Sequence, residues 1–560
     1  MDHFQEVIKQ STHHPKPPGL VLQYGTAGFR TNAKHLNHVM FRMGLMATLR
    51  SKKTQATIGV MVTASHNPEE DNGVKVIDPM GEMVTQTWEC YATRLANAEE
   101  DTDLVTAVKD IIQKENIDMS QKASVFVGKD TRSSSAALSQ AVLSGVTALG
   151  GLTKDYGLVT TPQLHYMVCC QNTHGKYGEP TIEGYYRKLC QAFIQLIKNA
   201  SSWTDDQKQL WVDGANGIGA LKLREMESHL NNKLQICVFN DGNTGKLNHQ
   251  CGADFVKVQQ KPPPGITVNP DQRYCSFDGD ADRIVYYYTD SKGRFHLLDG
   301  DKIATLISTF LKELLTQAGL DLNMAVVQTA YANGSSTVYL EETMKLIVKC
   351  TKTGVKHLHH AAQDFDIGVY FEANGHGTVL FSKTAEEKIQ QLTEDLNASD
   401  DSKKAAQLLQ NTINVINQTV GDSISDMLLI EAILAIKGMT VQQWDSIYSD
   451  LPNRQLKVKV SDRRVIETID AERRTMSPAG LQKVIDNLVK KHKQGRSFVR
   501  PSGTEDVVRV YAEAETQESA DSLAHEVSLA VYQRAGGVGE EPKPLHKTHN
   551  CLQDTCISSH

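Results

Sequence analysis

What this 560-residue chain lacks narrows its identity before any motif is considered. Its longest strongly apolar run, Met427 to Ile436, is broken by Glu431 and falls well short of the about 20 residues that span a bilayer. The N-terminal stretch mixes charges with prolines and has no apolar h-region, so no secretory signal is expected and a cytoplasmic location is. A basic excess is missing too: 59 Lys and Arg face 66 Asp and Glu, for a net charge of -7, which is not the footprint of a nucleic-acid binder. The ten cysteines include the neighbours Cys169 and Cys170 but no C-x-x-C pair, leaving neither a disulfide framework nor a zinc site. They are expected to be mostly buried thiols. No repeat of about 20 to 50 residues is present, which excludes a solenoid. With 40% apolar and 22% charged residues and ordinary Gly and Pro content, the chain is neither disordered, collagenous nor a coiled coil.

What remains is a globular chain long enough for about four domains. Short apolar runs alternate with helical patterns through its first three quarters, the pattern of an α/β protein. Thr57 to Val62, Ser124 to Val127, Gln209 to Val212, Ala325 to Gln328 and Val369 to Phe371 are predicted as buried strands. Several run into a polar loop containing Gly or Asp and then a helix, which is where open α/β sheets gather ligands. Composition shifts suggest domains at 1–180, 181–298, 299–453 and 454–537, followed by a disordered tail at 538–560. The last domain has strands, a helix at about 477–491 and another ending near 534, the pattern of a small α+β unit.

Four loops carry residue types suited to chemistry. Thr63-Ala64-Ser65-His66-Asn67-Pro68 follows a strand, so Ser65 could serve as a nucleophile or phosphate carrier, with His66 and Lys75 neutralising developing charge. No G-x-S-x-G elbow is present, which argues against an α/β-hydrolase. In Asp278-Gly279-Asp280-Ala281-Asp282-Arg283, carboxylates at alternate residues of a curved or extended loop would converge as hard oxygen ligands for Mg²⁺. An EF-hand would need Gly and Glu where Arg283 and Thr289 stand. Glu372-Ala373-Asn374-Gly375-His376 offers acceptors and donors to sugar hydroxyls, and His376 can act as acid or base near neutral pH. In Arg500-Pro501-Ser502-Gly503-Thr504, an arginine and an anion nest suit a phosphate; the loop is not a Walker A motif.

The order of these loops, with TASHNP followed by NGVK, then DGDADR and RPSGTED, resembles the α-D-phosphohexomutase superfamily over roughly residues 20–535. The resemblance implies three similar mixed α/β domains plus a smaller C-terminal α+β domain around a central cleft. It implies that Ser65 carries a phosphoryl group, that Asp278, Asp280 and Asp282 hold one Mg²⁺ against it, and that Arg30 approaches it. Lys75 and His376 match candidate acid/base positions, and His66 is counted with the catalytic residues. Glu372, Asn374 and Gly375 would contact the sugar, Arg283 the sugar or a phosphate, and Arg500, Ser502, Gly503, Thr504 and Arg509 the far phosphate. The implied reaction moves phosphate between O6 and O1 of one sugar through a 1,6-bisphosphate, which also serves as primer. Glucose and mannose mutases carry a Glu-x-Ser core where this chain has Glu372-Ala373-Asn374, and small Ala373 would leave room for an acetamido group. N-acetylglucosamine phosphate, on the way to UDP-N-acetylglucosamine, is therefore the implied substrate; glucose or mannose phosphates, and a binding protein without catalysis, are the alternatives.

Overall fold

A computed structural model describes residues 2–200, 203–270, 272–503 and 505–545. The first sheet comprises β1 (Phe29–Asn32), β2 (Thr57–Val62), β3 (Asp71–Ile77), β4 (Ser124–Lys129) and β5 (Leu152–Leu158), in the order β1-β3-β2-β4-β5. Here β2, β4 and β5 run parallel and β3 and β1 antiparallel to their neighbours. All six residues of TIGVMV are buried, as a strand covered on both faces requires. The second sheet, β6 (Gln209–Asp213), β7 (Gln235–Phe239), β8 (Tyr274–Phe277), β9 (Ile284–Thr289) and β10 (Phe295–Leu298), has the order β10-β9-β8-β6-β7. Its pairings follow the same scheme, with β7, β6 and β8 parallel and β9 and β10 antiparallel. The third, β11 (Met324–Thr329), β12 (Ile347–Thr351), β13 (Ile367–Phe371) and β14 (Gly377–Phe381), has the order β12-β11-β13-β14, with β11 and β13 parallel and β14 antiparallel.

The three sheets are thus variations on one plan. The second and third enter at the strand one in from the parallel edge, β6 and β11, whereas the first reaches the equivalent strand, β4, only after β1, β2 and β3. The expected mixed α/β class with repeated domains is what the structure has. A fourth, smaller sheet of β15 (Asn453–Lys459), β18 (Arg496–Pro501) and β19 (Val507–Glu513) is antiparallel, beside the two-stranded β16 (Glu467–Ile469) and β17 (Arg474–Ser477).

The chain divides into two compact units: residues 1–327, 344–349 and 354–447 form one, and 328–343, 350–353 and the chain from 448 on form the other. Within the second unit, the helix expected at 477–491 is shorter, Leu481–Val489. Gly480 precedes it at φ +82°, a left-handed conformation that cannot continue a helix, and β17 takes the residues up to Ser477. The described part of the expected tail is tied down: Val538 N donates to Lys459 O at 3.0 Å, and Tyr532 Oη to Gly539 O at 2.8 Å. Residues 546–560 lie outside the described residues. Among the described residues, no helix is long and apolar enough to cross a membrane, and five of the eight described cysteines are buried.

In the first unit, the helices Asn37–Thr54 and Ser135–Ala148 meet through glycines. A Cβ on Gly145 would lie 1.9 Å from Phe41 O, and one on Gly44 would lie 2.2 Å from Val142 O. Gly145→Ala should therefore destabilise the fold by about 1–3 kcal/mol through forced separation of the helices. Thermal denaturation tests this, and an unchanged midpoint would show that the contact is not as close as described.

Candidate functional site

The repeated plan places three loops at equivalent positions. Each connects the last strand of the parallel run to its antiparallel neighbour: β2 to β3 carries Ser65, β8 to β9 carries the three aspartates, and β13 to β14 carries Glu372 to His376. All three loops belong to the first unit.

Ser65 is fully buried and left-handed, at φ +48°, a conformation uncommon for a residue with a Cβ. Its Oγ donates to Asp280 Oδ2 at 2.8 Å and accepts from Arg30 Nη2 at 3.0 Å and Lys75 Nζ at 2.9 Å. The hydroxyl therefore joins two cations to one carboxylate. Lys75 extends to Asp282 Oδ2 at 3.4 Å. Burial, with Arg283 close by, lowers the Arg30 pKa. The neighbouring His66 does not fill the expected role of a charged group. Burial, reinforced by Arg283 and Arg30, pushes its imidazole down to about 2. At neutral pH it can offer a ring N–H or an acceptor but no positive charge.

The aspartate loop is curled rather than extended, because Ala281 sits at φ +62° and its N–H closes a turn onto Asp278 O. The three carboxylates still converge, with ligand atoms within 4.8 Å of one another. Asp278 Oδ2, Asp280 Oδ1 and Asp282 Oδ1 are each buried without a hydrogen-bond partner. Three unspent hard oxygens in one buried place fit Mg²⁺, whose preference is for carboxylate and water oxygens. Burial, then repulsion from Asp282 and Asp280, raises the Asp278 carboxyl well above its usual range. Asp282 is held well below that range: burial opposes this, but Lys75, His376 and Arg283 outweigh it. Arg283, ion-paired to Asp278 at 4.0 Å, is raised by Asp278 and Asp282 against its own burial.

The third loop meets the second directly. A Cβ on Gly375, at φ +88°, would fall 1.9 Å from Ile284 O, so glycine alone allows this approach. Gly375 was expected to contact the sugar, but its N–H goes to Glu372 O at 2.9 Å and its O accepts from Ile284 N at 3.1 Å. With both backbone groups spent, it serves to seat the loop. Asn374 Oδ1 is likewise used within the turn, accepting from His376 N at 3.0 Å. His376 Nδ1 lies 2.7 Å from Asp282 O and can only donate there, which leaves Nε2 as the other functional atom. Glu372 is close enough to Arg283 for a favourable charge interaction.

The second unit contains the remaining candidates. Arg500 on β18 lies directly opposite Arg509 on β19, and the Nε of each is buried without a hydrogen-bond partner. Like charges opposed across a ladder repel, so the pair is suited to an anion. Ser502 is buried beside them in sequence, and its N donates to Val507 O at 2.8 Å. Gly503 O accepts from Arg463 Nη2 at 3.1 Å. Thr504 lies outside the described residues.

Several residues around Ser65 escaped the sequence analysis. Arg132 Nη2 donates to Ser65 O at 3.3 Å and Asn67 O at 2.7 Å, and Asn248 Nδ2 donates to the same two carbonyls at 2.8 and 3.0 Å. Asp130 orients Arg132 through a buried ion pair and accepts from Thr63 Oγ1 at 2.7 Å. Thr161 Oγ1 donates to Asp280 Oδ2 at 2.6 Å from a helix that Thr160 caps. For Asp130, Arg132 and Thr161 the signals were present in the stretches KDTR and VTTPQ, strand ends with cap residues. Nothing local distinguished them from ordinary turns.

Comparison with known proteins gives matches along most of the chain. Family models match as "phosphoglucomutase/phosphomannomutase, alpha/beta/alpha domain I" over 44–102 and 91–178, and as "phosphoacetylglucosamine mutase AMG1, domain II" over 180–285. Domain III of the latter matches 299–439, and the phosphoglucomutase/phosphomannomutase C-terminal domain matches 456–530. Human phosphoacetylglucosamine mutase is 67% identical over 538 residues, 96% of this chain and 99% of the relative. A crystal structure of N-acetylglucosamine-phosphate mutase, a member of the α-D-phosphohexomutase superfamily, in its substrate complex has a TM-score of 0.91 at 47% identity, covering 94% of this chain and 99% of that one. The Aspergillus fumigatus enzyme in complex with GlcNAc-6P and magnesium has a TM-score of 0.90 at 48% identity, covering 95% and 99%.

The double clamp on Ser65 O and Asn67 O explains how a strained serine is kept in place. Asn248→Ala should lower kcat about tenfold, the cost of a slightly misplaced Ser65 hydroxyl, while changing KM little. Steady-state kinetics measures both, and an unaltered kcat would remove Asn248 from any positioning role.

Proposed function

For a chain that belongs to the phosphoacetylglucosamine mutase family of the α-D-phosphohexomutase superfamily, we propose that it interconverts N-acetylglucosamine 6-phosphate and N-acetylglucosamine 1-phosphate as a cytoplasmic enzyme. One observation carries this: Ser65 Oγ lies between two cations and a carboxylate of a three-aspartate cluster whose remaining oxygens are unspent. That is equipment for holding a phosphoryl group, since phosphoryl transfer depends mainly on positioning and charge stabilisation.

The charges can be counted. With all three carboxylates ionised, as ligation of a metal requires, Arg30, Lys75 and Arg283 offset Asp278, Asp280 and Asp282. A phosphoserine adds about two negative charges and Mg²⁺ adds two positive ones, so the loaded site keeps the same balance. When bound, Mg²⁺ on the three aspartates supplies Lewis-acid stabilisation of phosphoryl oxygens. The chain's own residues do the rest. Arg30 and Lys75 stay within reach of Ser65 Oγ and hold the bridging oxygen as it gains or loses the phosphoryl group. Lys75 and His376 are the candidates for moving the proton of the accepting sugar hydroxyl, His376 through Nε2. Neutral His66 serves as a hydrogen-bonding group beside the serine rather than as a cation.

Glu372 and Asn374 take the sugar hydroxyls, with Arg283 nearby, and Gly375 and Ala373 shape the loop. Arg500 and Arg509, with Ser502, Gly503 and Thr504, take the phosphate that is not reacting. Phospho-Ser65 donates to the free hydroxyl, the sugar 1,6-bisphosphate turns over, and the other phosphate returns to Ser65. The same bisphosphate primes enzyme that has lost its phosphate. We place the working parts in domains at 1–180, 181–298, 299–453 and 454–537.

Turnover of N-acetylglucosamine 6-phosphate, glucose 6-phosphate and mannose 6-phosphate, each with and without Mg²⁺, tests the substrate and the metal together. The first should be preferred at least tenfold in kcat/KM, and all activity should vanish on chelation. Preference for glucose or mannose phosphate would overturn the substrate, and metal-independent turnover would overturn the aspartate site.

A further inference from the structure

The phosphate clamp of the second unit contains an acidic residue that the reaction scheme leaves unused. Glu472 Oε1 lies 3.4 Å from Arg500 Nε, close enough to pair electrostatically but without forming a hydrogen bond. Its other oxygen, Oε2, accepts from Thr353 N at 2.9 Å and Thr353 Oγ1 at 2.6 Å. The carboxylate is thus turned toward Thr353 and only leans on the arginine. Both residues are largely buried, the Arg500 side chain being 17% exposed and that of Glu472 12%.

The backbone delivering Glu472 is unusual. Asp470, Ala471 and Glu472 have φ values of +52°, +54° and +68°, three consecutive residues with a Cβ in the left-handed region. Such strain persists only where surrounding structure over-determines it, and it gathers at functional sites. Here it sets a carboxylate beside two opposed arginines, where an anionic ligand would otherwise meet two unopposed positive charges.

The geometry points to Glu472 as a positioning and tuning residue, a resident counter-anion that weakens the phosphate clamp so that it can release one end of the sugar and take the other. This rests on the assignment of Arg500 and Arg509 to the far phosphate. Binding energy spent equally on substrate and transition state lowers KM without raising kcat. A clamp must also let go once per catalytic cycle, so one gripping with two full charges would retard the turn. Glu472 offsets one of them, and Thr353 keeps the carboxylate from closing fully onto Arg500 and shutting the phosphate out.

Two substitutions should act in opposite directions, which separates tuning from damage. Glu472→Gln removes the competing charge, and both KM for N-acetylglucosamine 6-phosphate and kcat should fall, by on the order of tenfold. Its dependence on added sugar 1,6-bisphosphate should fall too, because less intermediate escapes per cycle. Thr353→Val removes the hydroxyl bond and leaves only the backbone N–H on Oε2, so the carboxylate pairs more closely with Arg500, and KM should rise severalfold. Glu472→Asp, which keeps the charge, should return both constants toward the parent values. An unchanged or raised KM in Glu472→Gln would overturn the proposal; if that variant does not fold, an unchanged or lowered KM in Thr353→Val overturns it. Arg500→Ala is the separate check on the clamp itself. If it leaves KM unaltered, the assignment to the far phosphate fails. A raised KM there, with Glu472→Gln giving no tightening, sinks only the role of Glu472.

Discussion

Everything at the site depends on the burial of three aspartates together. Carboxylates confined to one dry place repel each other and lose their hydration, an arrangement that stands only if cations offset it. Lys75 bonded to Asp280 and Asp282, Arg283 beside Asp278, and Arg30 reaching the same serine provide that offset. One oxygen of each aspartate still remains without a donor. That deficit is what a divalent cation satisfies, and Ser65, the residue proposed to receive phosphate, stands against it. The architecture serves the same end: three sheets built on one plan bring three equivalent loops into the first unit, and the second loop contacts both of the others.

Those contacts are unusually direct. A Cβ on Gly279 would lie 2.5 Å from Ser65 O, and one on Gly375 would lie 1.9 Å from Ile284 O. Glycines at both points let backbone touch backbone, so the loops are set by main-chain packing rather than by flexible side chains. Arg132, Asn248 and Thr161 then fix what that packing leaves free. The proposed passage of a phosphoryl group between Ser65 and a sugar oxygen requires this precision, since small misplacements of reacting groups cost large factors in rate.

Much of the site was legible in sequence because its chemistry is concentrated in short strings. Asp278, Asp280 and Asp282 declared a cation by their number and spacing, and of the curved or extended loop expected the structure has the curved one, turned at left-handed Ala281. The strand TIGVMV and the Val369 to Phe371 part of β13 were visible as continuous apolar runs. What was hidden depends on distance along the chain. Asn248 meets Ser65 O across 183 residues, and Thr161 meets Asp280 across 119, so no local pattern could join them. Charge states were hidden for the same reason: His66 is kept neutral by burial and by Arg283, a residue far away in sequence. Glu472 was invisible because its backbone conformation, not its neighbours in the chain, sets it beside Arg500.

The central claim is that Ser65 carries the phosphate in transit. Intact-protein and peptide mass spectrometry on enzyme incubated with a sugar 1,6-bisphosphate, then chased with N-acetylglucosamine 6-phosphate, addresses it directly. Phosphate should appear on the peptide bearing Ser65, be discharged by the chase, and be absent from Ser65→Ala. Phosphate found only on other residues, or a Ser65→Ala variant that turns over at the parent rate, would contradict the account.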